Sequence, residues 1–228
     1  MAGSARDRIL IHPITKERRA DFETLMRTNS ITGSCWDIWP RRLGDVAKKR
    51  HAYWKAKGVS WSDGNRRDMA TLIRSGKPVG LLAYRAGEPV GFVSVGPRAG
   101  YARVDRSRTS PPVDDLAVWA IPCFYVHRAH RGRGVSTELL RAAVEYARSQ
   151  GAPAVEGYPR ADDAPRVSDE SAFFGTEAMF RRAGYRKVRG VLPGLPRGWV
   201  PRVTMRATCA PAKGTSSRSR TRSRAASS

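Results

Sequence analysis

The stretch that decides the fold of this chain reads Trp119-Ala-Ile-Pro-Cys-Phe-Tyr-Val-His127, then Arg128-Ala-His-Arg-Gly-Arg-Gly-Val-Ser-Thr137, then Glu138-Leu-Leu-Arg-Ala-Ala-Val-Glu-Tyr-Ala-Arg-Ser-Gln150. Its first third is apolar, aromatic and β-branched, which predicts a buried strand. Its last third repeats apolar residues at helical spacing, which predicts an amphipathic helix packed against that strand. The predicted inward face of this helix consists of Val135, Leu139, Leu140, Ala143, Val144, Tyr146 and Ala147.

Two glycines, Gly132 and Gly134, lie in the turn between this strand and this helix. Glycine adopts positive φ at little cost and lets a ligand approach the backbone closely. The first turn of a helix has unpaired N–H groups and a partial positive charge. A strand, a glycine turn and a helix in this order therefore predict a site for phosphate or pyrophosphate. Arg131 and Arg133 add positive charge to it.

The run Arg131-Gly-Arg-Gly-Val-Ser136 resembles the acyl-CoA-binding motif of the GNAT (Gcn5-related) N-acetyltransferases, Gln/Arg-x-x-Gly-x-Gly/Ala. Ser136 replaces the final small residue of that pattern. A second run, Met179-Phe-Arg-Arg-Ala-Gly-Tyr185, resembles the family's Tyr-x-x-x-Gly-Phe helix end and following strand. The resemblance implies an α/β (α+β) fold with a mixed, mostly antiparallel central sheet, flanking helices and splayed central strands. A nucleotide-binding α/β domain of another kind is the main alternative fold.

The same resemblance implies an N-acyltransferase that uses acetyl-CoA as cosubstrate and moves the acetyl group directly to an amine of a small molecule or protein. Phe124 and Val126 would bond the pantetheine amides, and the N–H near Val126 would stabilise the oxyanion. The N–H groups from Arg131 to Thr137 would hold the pyrophosphate. The expected cofactor-binding residues are Phe124, Tyr125, Val126, Arg131, Gly132, Arg133, Gly134, Val135, Ser136 and Thr137.

The proton-transfer groups of the family are missing from the matching positions. Ala120 occupies the position of a glutamate base, and Phe180 that of a tyrosine acid, and neither side chain can move a proton. The groups within reach by sequence are Tyr158, Tyr125, His127 and Glu156. No catalytic residue is assigned from the sequence, and water alone could serve. The gap also favours an alternative function, a non-catalytic acyl-CoA sensor on the same fold.

The length of 228 residues suits one domain with a tail. We expect the acetyltransferase domain at 1–210, with its motif core at about 78–190, and a disordered basic Ser/Arg tail at 211–228. Helices are predicted at 16–27, 41–57, 65–75 and around 173–183. Strands are predicted at 8–13, 78–84, 88–95, 154–158, 185–191 and 200–207, with the strand at 154–158 parallel to residues 123–126.

The formal net charge of +22 raises nucleic-acid binding as a third function. The arginines are spread along the whole chain, however, and the arginine-rich tail contains no aromatic residue. Nucleic acid is therefore not the expected partner. No stretch approaches the ~20 apolar residues of a membrane span, so no membrane partner is expected. The expected compartment is the cytoplasm. The sequence leaves open whether the protein forms a homodimer.

Three scattered cysteines, Cys35, Cys123 and Cys209, show no spacing typical of zinc or of a disulfide framework, so no metal is expected. The segment 28–40 contains Trp36 and Trp39, which either line the acceptor pocket or cover the core. A polar loop contains Asp162, Asp163, Asp169 and Glu170. These carboxylates either attract an ammonium group or serve the start of the next helix.

Overall fold

The computed structural model describes residues 8–165, 173–195 and 197–209. Within them the chain forms nine strands and seven α-helices. The strands are β1 Leu10–Pro13, β2 Leu81–Arg85, β3 Glu88–Val93, β4 Gly96–Pro97, β5 Trp119–Ile121, β6 Phe124–Val126, β7 Ala154–Gly157, β8 Arg186–Arg189 and β9 Thr204–Thr208. The helices are α1 Arg19–Met26, α2 Ser30–Cys35, α3 Gly44–Lys55, α4 Trp61–Arg74, α5 Ala102–Asp105, α6 Val135–Ser149 and α7 Glu177–Arg182.

The strands form two sheets. The first has the order β1-β2-β3-β6, and all of its pairs are antiparallel. The second has the order β4-β5-β7-β9-β8, in which β5 and β7 are parallel and the other pairs are antiparallel. The mixed, mostly antiparallel arrangement flanked by helices that the sequence predicts is confirmed.

The predicted single strand at 119–127 is wrong, because this segment consists of two strands in different sheets. β5 ends before Pro122 and β6 begins after Cys123. Proline has no N–H to donate to a strand ladder, so pairing stops there. The chain therefore crosses from the second sheet to the first at these two residues.

The predicted parallel partner of β7 is also corrected. β7 pairs with β5, in a register that runs from Trp119↔Val155 to Ile121↔Gly157, and not with residues 123–126. β6 pairs with β3 instead. The strands β6 and β7 thus belong to different sheets, and they part where the β5–β7 ladder ends at Gly157. This separation is the predicted splay.

Helix α6 packs against both sheets and buries the face that its apolar spacing predicts. Its buried residues are Val135, Leu139, Leu140, Ala143 and Ala147. They contact β2, β3 and β7 and share a core cluster with side chains such as Leu81 and Val155. Each buried leucine or valine stabilises the fold by about 1.5–3 kcal/mol. The packing of α6 therefore fixes the position of the glycine turn that precedes it.

A second core cluster lies under α1 and α4. Phe22, Leu25 and Met26 of α1 are buried, as are Met69 and Ile73 of α4. Helix α4 begins earlier than predicted, because the Ser60 side chain caps it by accepting a hydrogen bond from the Asp63 N–H at 3.1 Å. This layer supports the segment that connects α1 to α3.

Two segments predicted to be irregular contain short elements. Residues 28–40 include α2, which the Asn29 side chain caps by accepting bonds from the N–H groups of Ile31 and Thr32 at 2.9 and 3.3 Å. Residues 96–112 include β4 and α5. Elements of two to six residues bury too little apolar surface to leave a periodic pattern in the sequence. The strands β2 and β3 form an antiparallel hairpin.

Helix α7 is shorter than predicted. Thr176 is its N-cap and accepts a bond from the Met179 N–H at 3.3 Å, so Thr176 and Phe173 do not lie on its face. Phe180 and Ala183 are buried as expected. The predicted tail at 211–228 lies outside the described residues, and the domain boundaries stay a prediction.

Candidate active site

The glycine turn has the backbone geometry that the sequence predicts. Gly132 and Gly134 have φ of +73° and +81°, a region that L-residues with side chains rarely adopt. A Cβ added to either glycine would have no heavy atom within 4 Å apart from its chain neighbours. The turn is therefore open, and a ligand can approach its backbone.

Helix α6 begins directly after this turn. Its first intrahelical bond runs from the Glu138 N–H to the Gly134 carbonyl at 3.1 Å. The N–H groups of Val135, Ser136 and Thr137 precede that bond and have no carbonyl one turn before them. They form the positive end of a fifteen-residue helix. This end of the helix is suited to bind an anion.

The predicted cofactor-binding residues of the turn and the start of α6 differ in their exposure to solvent. Arg131, Gly132, Arg133 and Gly134 are exposed, whereas Val135 is buried in the core. The Arg131 side chain donates a hydrogen bond from Nε to the Val126 carbonyl at 3.2 Å, which links the turn to the end of β6. Val135 thus contributes its backbone N–H and anchors the helix.

Strand β6 is the edge of the first sheet. The Ser94 N–H donates to the Cys123 carbonyl and the His127 N–H to the Val90 carbonyl, both at 2.9 Å. In an antiparallel ladder, alternate residues bond the partner strand, so Phe124 and Val126 direct their N–H and C=O groups away from β3. Both residues that the resemblance assigns to pantetheine therefore have backbone groups that face the splay.

A cavity of about 690 Å³ lies between α2, the start of α4 and the crossing at Pro122 and Cys123. We call it the inner cavity. Its wall consists mainly of apolar and aromatic side chains, as expected for a small-molecule site. The lining residues include Asp37, Trp39, Pro122, Cys123, Phe174 and Arg202.

A second cavity of about 600 Å³ lies on the other side of Pro122, between α5 and the residues at 192–195, 199 and 202. We call it the arginine cavity, after Arg103, Arg106, Arg108 and Arg202 in its wall. The two cavities share lining residues at their junction. The shared residues are Trp39, Pro40, Pro122, Phe174 and Arg202.

Asp37 is the acidic side chain in the wall of the inner cavity, and it is only 3% exposed. Its Oδ2 accepts hydrogen bonds from Arg41 Nη2 at 2.9 Å and from Ser94 Oγ at 2.6 Å. Its Oδ1 is buried and has no hydrogen-bond partner among the described residues. A buried acceptor without a partner costs about 1–3 kcal/mol, so a ligand that donates to it would be bound favourably.

The chain reaches Asp37 through an uncommon backbone conformation. Trp36 ends α2 with φ of +53°, and Asp37 follows with φ of +56°. Such conformations cost about 1–3 kcal/mol each and persist where the surroundings fix them, often at functional sites. Here the buried Trp36 indole donates to Ser62 Oγ at 3.1 Å, and the Arg41 and Ser94 bonds hold the carboxylate.

Burial raises the pKa of the Asp37 carboxyl, while the Arg41 guanidinium and the Ser94 hydroxyl oppose that rise. Burial also raises the pKa of both nearby thiols, Cys35 and Cys123. The thiols therefore stay protonated at neutral pH and are poor nucleophiles.

The four proton-transfer candidates named from the sequence differ in their positions. Tyr158 lines the arginine cavity, and its hydroxyl donates to Glu156 Oε2 at 3.1 Å and accepts from Arg98. Burial raises the pKa of Tyr158 far above its usual value, so the phenol keeps its proton. Glu156 is paired with Arg206 at 2.6 Å and with Arg98 at 3.5 Å, so its carboxylate is already engaged by two guanidinium groups.

Tyr125 and His127 do not line either cavity. The Tyr125 hydroxyl lies 3.1 Å from Thr28 Oγ1, inside the second core cluster. Ala120 is fully buried opposite Glu156 in the β5–β7 ladder, and Phe180 is fully buried against Phe124. The two positions that depart from the family pattern are therefore core positions here.

The two tryptophans of the segment 28–40 and the acidic side chains of the polar loop lie in different surroundings. Trp36 covers the core at 2% exposure, whereas Trp39 is 53% exposed and lines both cavities. Asp162 accepts from the Ala178 N–H at 3.1 Å and pairs with Arg181, so it serves the start of α7. Asp169 and Glu170 lie outside the described residues.

Comparisons with known proteins agree with this geometry. The family model described as Acetyltransferase (GNAT) family matches residues 47–166. The match covers more than half of the chain, which therefore belongs to the GNAT acetyltransferase family. No curated protein matches the sequence.

Similar solved structures include AAC(6')-Ib in complex with paromomycin and acetyl-CoA, at 17% identity and a TM-score of 0.50, covering 89% of this chain and 94% of that one. A GNAT-family acetyltransferase from Streptococcus pneumoniae is 13% identical, with a TM-score of 0.49 and coverage of 88% and 99%. Ard1 from Thermoplasma volcanium is 17% identical, with a TM-score of 0.43 and coverage of 88% and 97%. The likeness to AAC(6')-Ib, at this identity, establishes a shared fold and not a shared substrate.

Within the described ranges, none of the helices has the length and apolar character needed to cross a membrane.

Proposed function

We propose that this protein is an N-acetyltransferase that moves the acetyl group of acetyl-CoA to an amine bound in the inner cavity. The observation that carries the proposal is the combination of an open glycine turn at the start of α6 with an edge of β6 that has no strand partner among the described residues. The acetyl-CoA complex of AAC(6')-Ib, a protein of the same fold, supports this choice of cosubstrate.

The pyrophosphate binds to the N–H groups between Arg131 and Thr137, and the pantetheine amides pair with Phe124 and Val126. These residues fit the cosubstrate because the turn is open and the two strand residues direct polar groups into the splay. The thioester then lies near Pro122, where the two cavities meet. The Phe124 N–H is nearer to Pro122 along the strand than the Val126 N–H, so we prefer Phe124 as the oxyanion donor.

Asp37 is the residue that we assign to proton acceptance. The amine nitrogen attacks the thioester carbon, a C–N bond forms, and the C–S bond breaks. Asp37 takes the proton that the nitrogen loses, and the leaving thiolate takes a proton from solvent, to which Asp37 later returns its own. Its raised pKa makes Asp37 a better base than an ordinary carboxylate, and its Oδ1 is free to accept.

The test is an acceptor screen that follows thiol release from acetyl-CoA in the presence of single amines. We expect release that depends on one class of acceptor and a product that carries the acetyl group on nitrogen, identified by its mass. Tight binding of acetyl-CoA with no acceptor-dependent release over a broad panel would contradict transfer and would favour the sensor function.

A further inference from the structure

The arginine cavity combines four guanidinium groups with an acid-free wall. Its described lining residues include Arg103, Arg106, Arg108 and Arg202 and no aspartate or glutamate. A cleft lined by charges of one sign attracts ligands of the opposite sign, and low-dielectric walls strengthen that attraction. The cavity is therefore suited to an anion.

Two of these arginines are held in place by aromatic rings. The guanidinium carbon of Arg202 lies 3.4 Å from the centre of the Phe174 ring, and that of Arg103 lies 4.4 Å from the centre of the Trp39 ring. Trp39 and Phe174 line both cavities, so the two guanidinium groups lie close to the junction. Stacking restricts the side chains and leaves their N–H groups available for a ligand.

Neither guanidinium is neutralised within the described part of the chain. Arg103 and Arg202 form no ion pair with a carboxylate there, whereas the buried Arg41, Arg42 and Arg98 do. The Arg103 Nε is buried without a hydrogen-bond partner. Burial lowers the pKa of Arg202 to about 10, which leaves the group charged at neutral pH. A desolvated Arg202 and a half-buried Arg103, neither with a counter-ion among the described residues, favour an anionic ligand.

We propose that the acceptor carries a carboxylate or phosphate group in addition to its amine, and that Arg202 and Arg103 bind that anion in the arginine cavity while the amine lies at the junction with the inner cavity. This inference rests on the proposed acetyl transfer and names its acceptor class. Polycationic acceptors such as aminoglycosides are excluded by it, because the same arginines repel them.

The first experiment compares matched acceptors in the thiol-release assay. Glycine and glycinamide, and phosphoethanolamine and ethanolamine, differ within each pair by the anion. We expect kcat/KM to be about 10- to 100-fold higher for the anionic member of at least one pair, in line with charge-assisted hydrogen bonds. The pair with the larger ratio identifies the anion. Equal values within both pairs, with measurable turnover, would overturn the proposal.

The variants separate the cavity from the overall charge. In Arg202→Met and in Arg103→Met the ratio of kcat/KM for the anionic member to that for the neutral member should fall towards one. Arg148→Gln removes one positive charge from the exposed face of α6, where Arg148 pairs with Glu145, and should keep the preference. A preference that survives both cavity variants would contradict the assignment.

A binding measurement distinguishes this inference from the proposed function. Glycolate and inorganic phosphate have no amine, and their binding to the CoA-saturated protein can be followed by tryptophan fluorescence at constant ionic strength, since Trp39 and Trp199 line the cavity. Saturable binding that Arg202→Met abolishes, without acceptor turnover, would support the anion site and refute acetyl transfer. Turnover of neutral amines without binding of either anion would support acetyl transfer and refute the anion site.

Discussion

At the scale of single residues, Asp37 is the most informative position in the site. It combines full burial, a fixed Oδ2 and an Oδ1 that has no partner among the described residues. Arg41 and Ser94 hold the carboxylate without using both oxygens. A carboxylate arranged in this way can receive a proton or a hydrogen bond from a bound amine.

We therefore expect Asp37→Asn to lower kcat by about 10²- to 10⁴-fold, the usual contribution of a general base. The Kd for acetyl-CoA should change little, because Asp37 is not among the residues proposed to hold the cosubstrate. In the unsubstituted protein kcat/KM should rise with pH as Asp37 loses its proton, at a pH above that of an ordinary carboxyl because its pKa is raised. This rise in kcat/KM with pH should be absent in Asp37→Asn.

The matched control is Asp63→Asn, since Asp63 lies exposed in the first turn of α4 and lines neither cavity. It should leave kcat and the pH profile unchanged. An Asp37→Asn protein with full activity would remove Asp37 from the mechanism without affecting the fold or the cosubstrate site.

The cosubstrate residues could be named from the sequence, and Asp37 could not. Gly132 and Gly134 belong to a local motif, in which a positive φ and a helix start follow one another along the chain. Asp37 becomes important only through long-range contacts with Ser94 and through its left-handed backbone. The one available signal was its place beside two tryptophans in an irregular segment. Arg202 is likewise revealed only by its contact with Phe174.

At the scale of elements, hydrogen bonds to the buried Asp68 carboxylate join α3 to α4. Helix α3 buries none of its residues. Asp68 of α4 instead accepts bonds from Arg42 Nη2 at 2.8 Å, Arg50 Nε at 3.0 Å and Trp54 Nε1 at 3.0 Å. These bonds outweigh the effect of burial and lower the pKa of Asp68.

The substitution Asp68→Asn should destabilise the protein at neutral pH by about 1.5–3 kcal/mol, the usual contribution of a hydrogen bond to a charged group. A lowered pKa stabilises the fold at pH values above the unfolded-state pKa of about 3.9, and that stabilisation is lost as the pH falls through the folded-state value. The difference in unfolding free energy between the variant and the unsubstituted protein, measured by denaturant unfolding, should therefore be smaller at about pH 3 than at about pH 6. An equal difference at both pH values would contradict this account.

Helix α7 packs on β7 through a glycine. A Cβ at Gly157 would lie 2.1 Å from a ring carbon of Phe180, so the ring occupies the space that a side chain would need. We expect Gly157→Ala to cost about 1–3 kcal/mol of unfolding free energy, the usual effect of overpacking. Gly157→Ala combined with Phe180→Leu should cost less than the sum of the two single changes. Strict additivity in denaturant unfolding would show that the two residues do not compete for space.

Elements with a full periodic pattern were predictable, and the crossing between the sheets was not. The apolar spacing of α6 predicts its length and its buried face. The run from Trp119 to His127 has the composition of a single strand apart from Pro122, which signals an interruption. The pairing of the two halves with different partners becomes visible only in the structure. Strand partners are set by contacts that are distant in sequence, which composition does not encode.

At the scale of the whole molecule, the positive charge is partly used inside the fold. The sequence has 42 lysines and arginines against 20 acidic residues. Arg41, Arg42, Arg98 and Arg206 nevertheless form ion pairs with side chains that are almost fully buried. A large net charge thus coexists with specific structural roles for individual arginines. Composition alone predicts neither those pairs nor the arginine cavity.

The central claim is that the open glycine turn and the edge of β6 bind acetyl-CoA, and isothermal titration calorimetry of the folded protein tests it. A matched pair of variants places the site on the molecule. Gly134 and Gly151 flank α6 at its two ends, both have positive φ, and a Cβ at either would meet nothing within 4 Å. Replacing either glycine by leucine should cost a similar amount of stability, about 1–2 kcal/mol.

Titration of the unsubstituted protein with acetyl-CoA should give one site per chain with a Kd between about 1 µM and 1 mM, the range in which enzymes bind their substrates. Gly134→Leu should weaken binding at least ~10-fold, equivalent to about 1.4 kcal/mol, and Gly151→Leu should leave it unchanged. Absence of binding at millimolar acetyl-CoA by folded protein, or equal affinities for the two variants, would contradict the account.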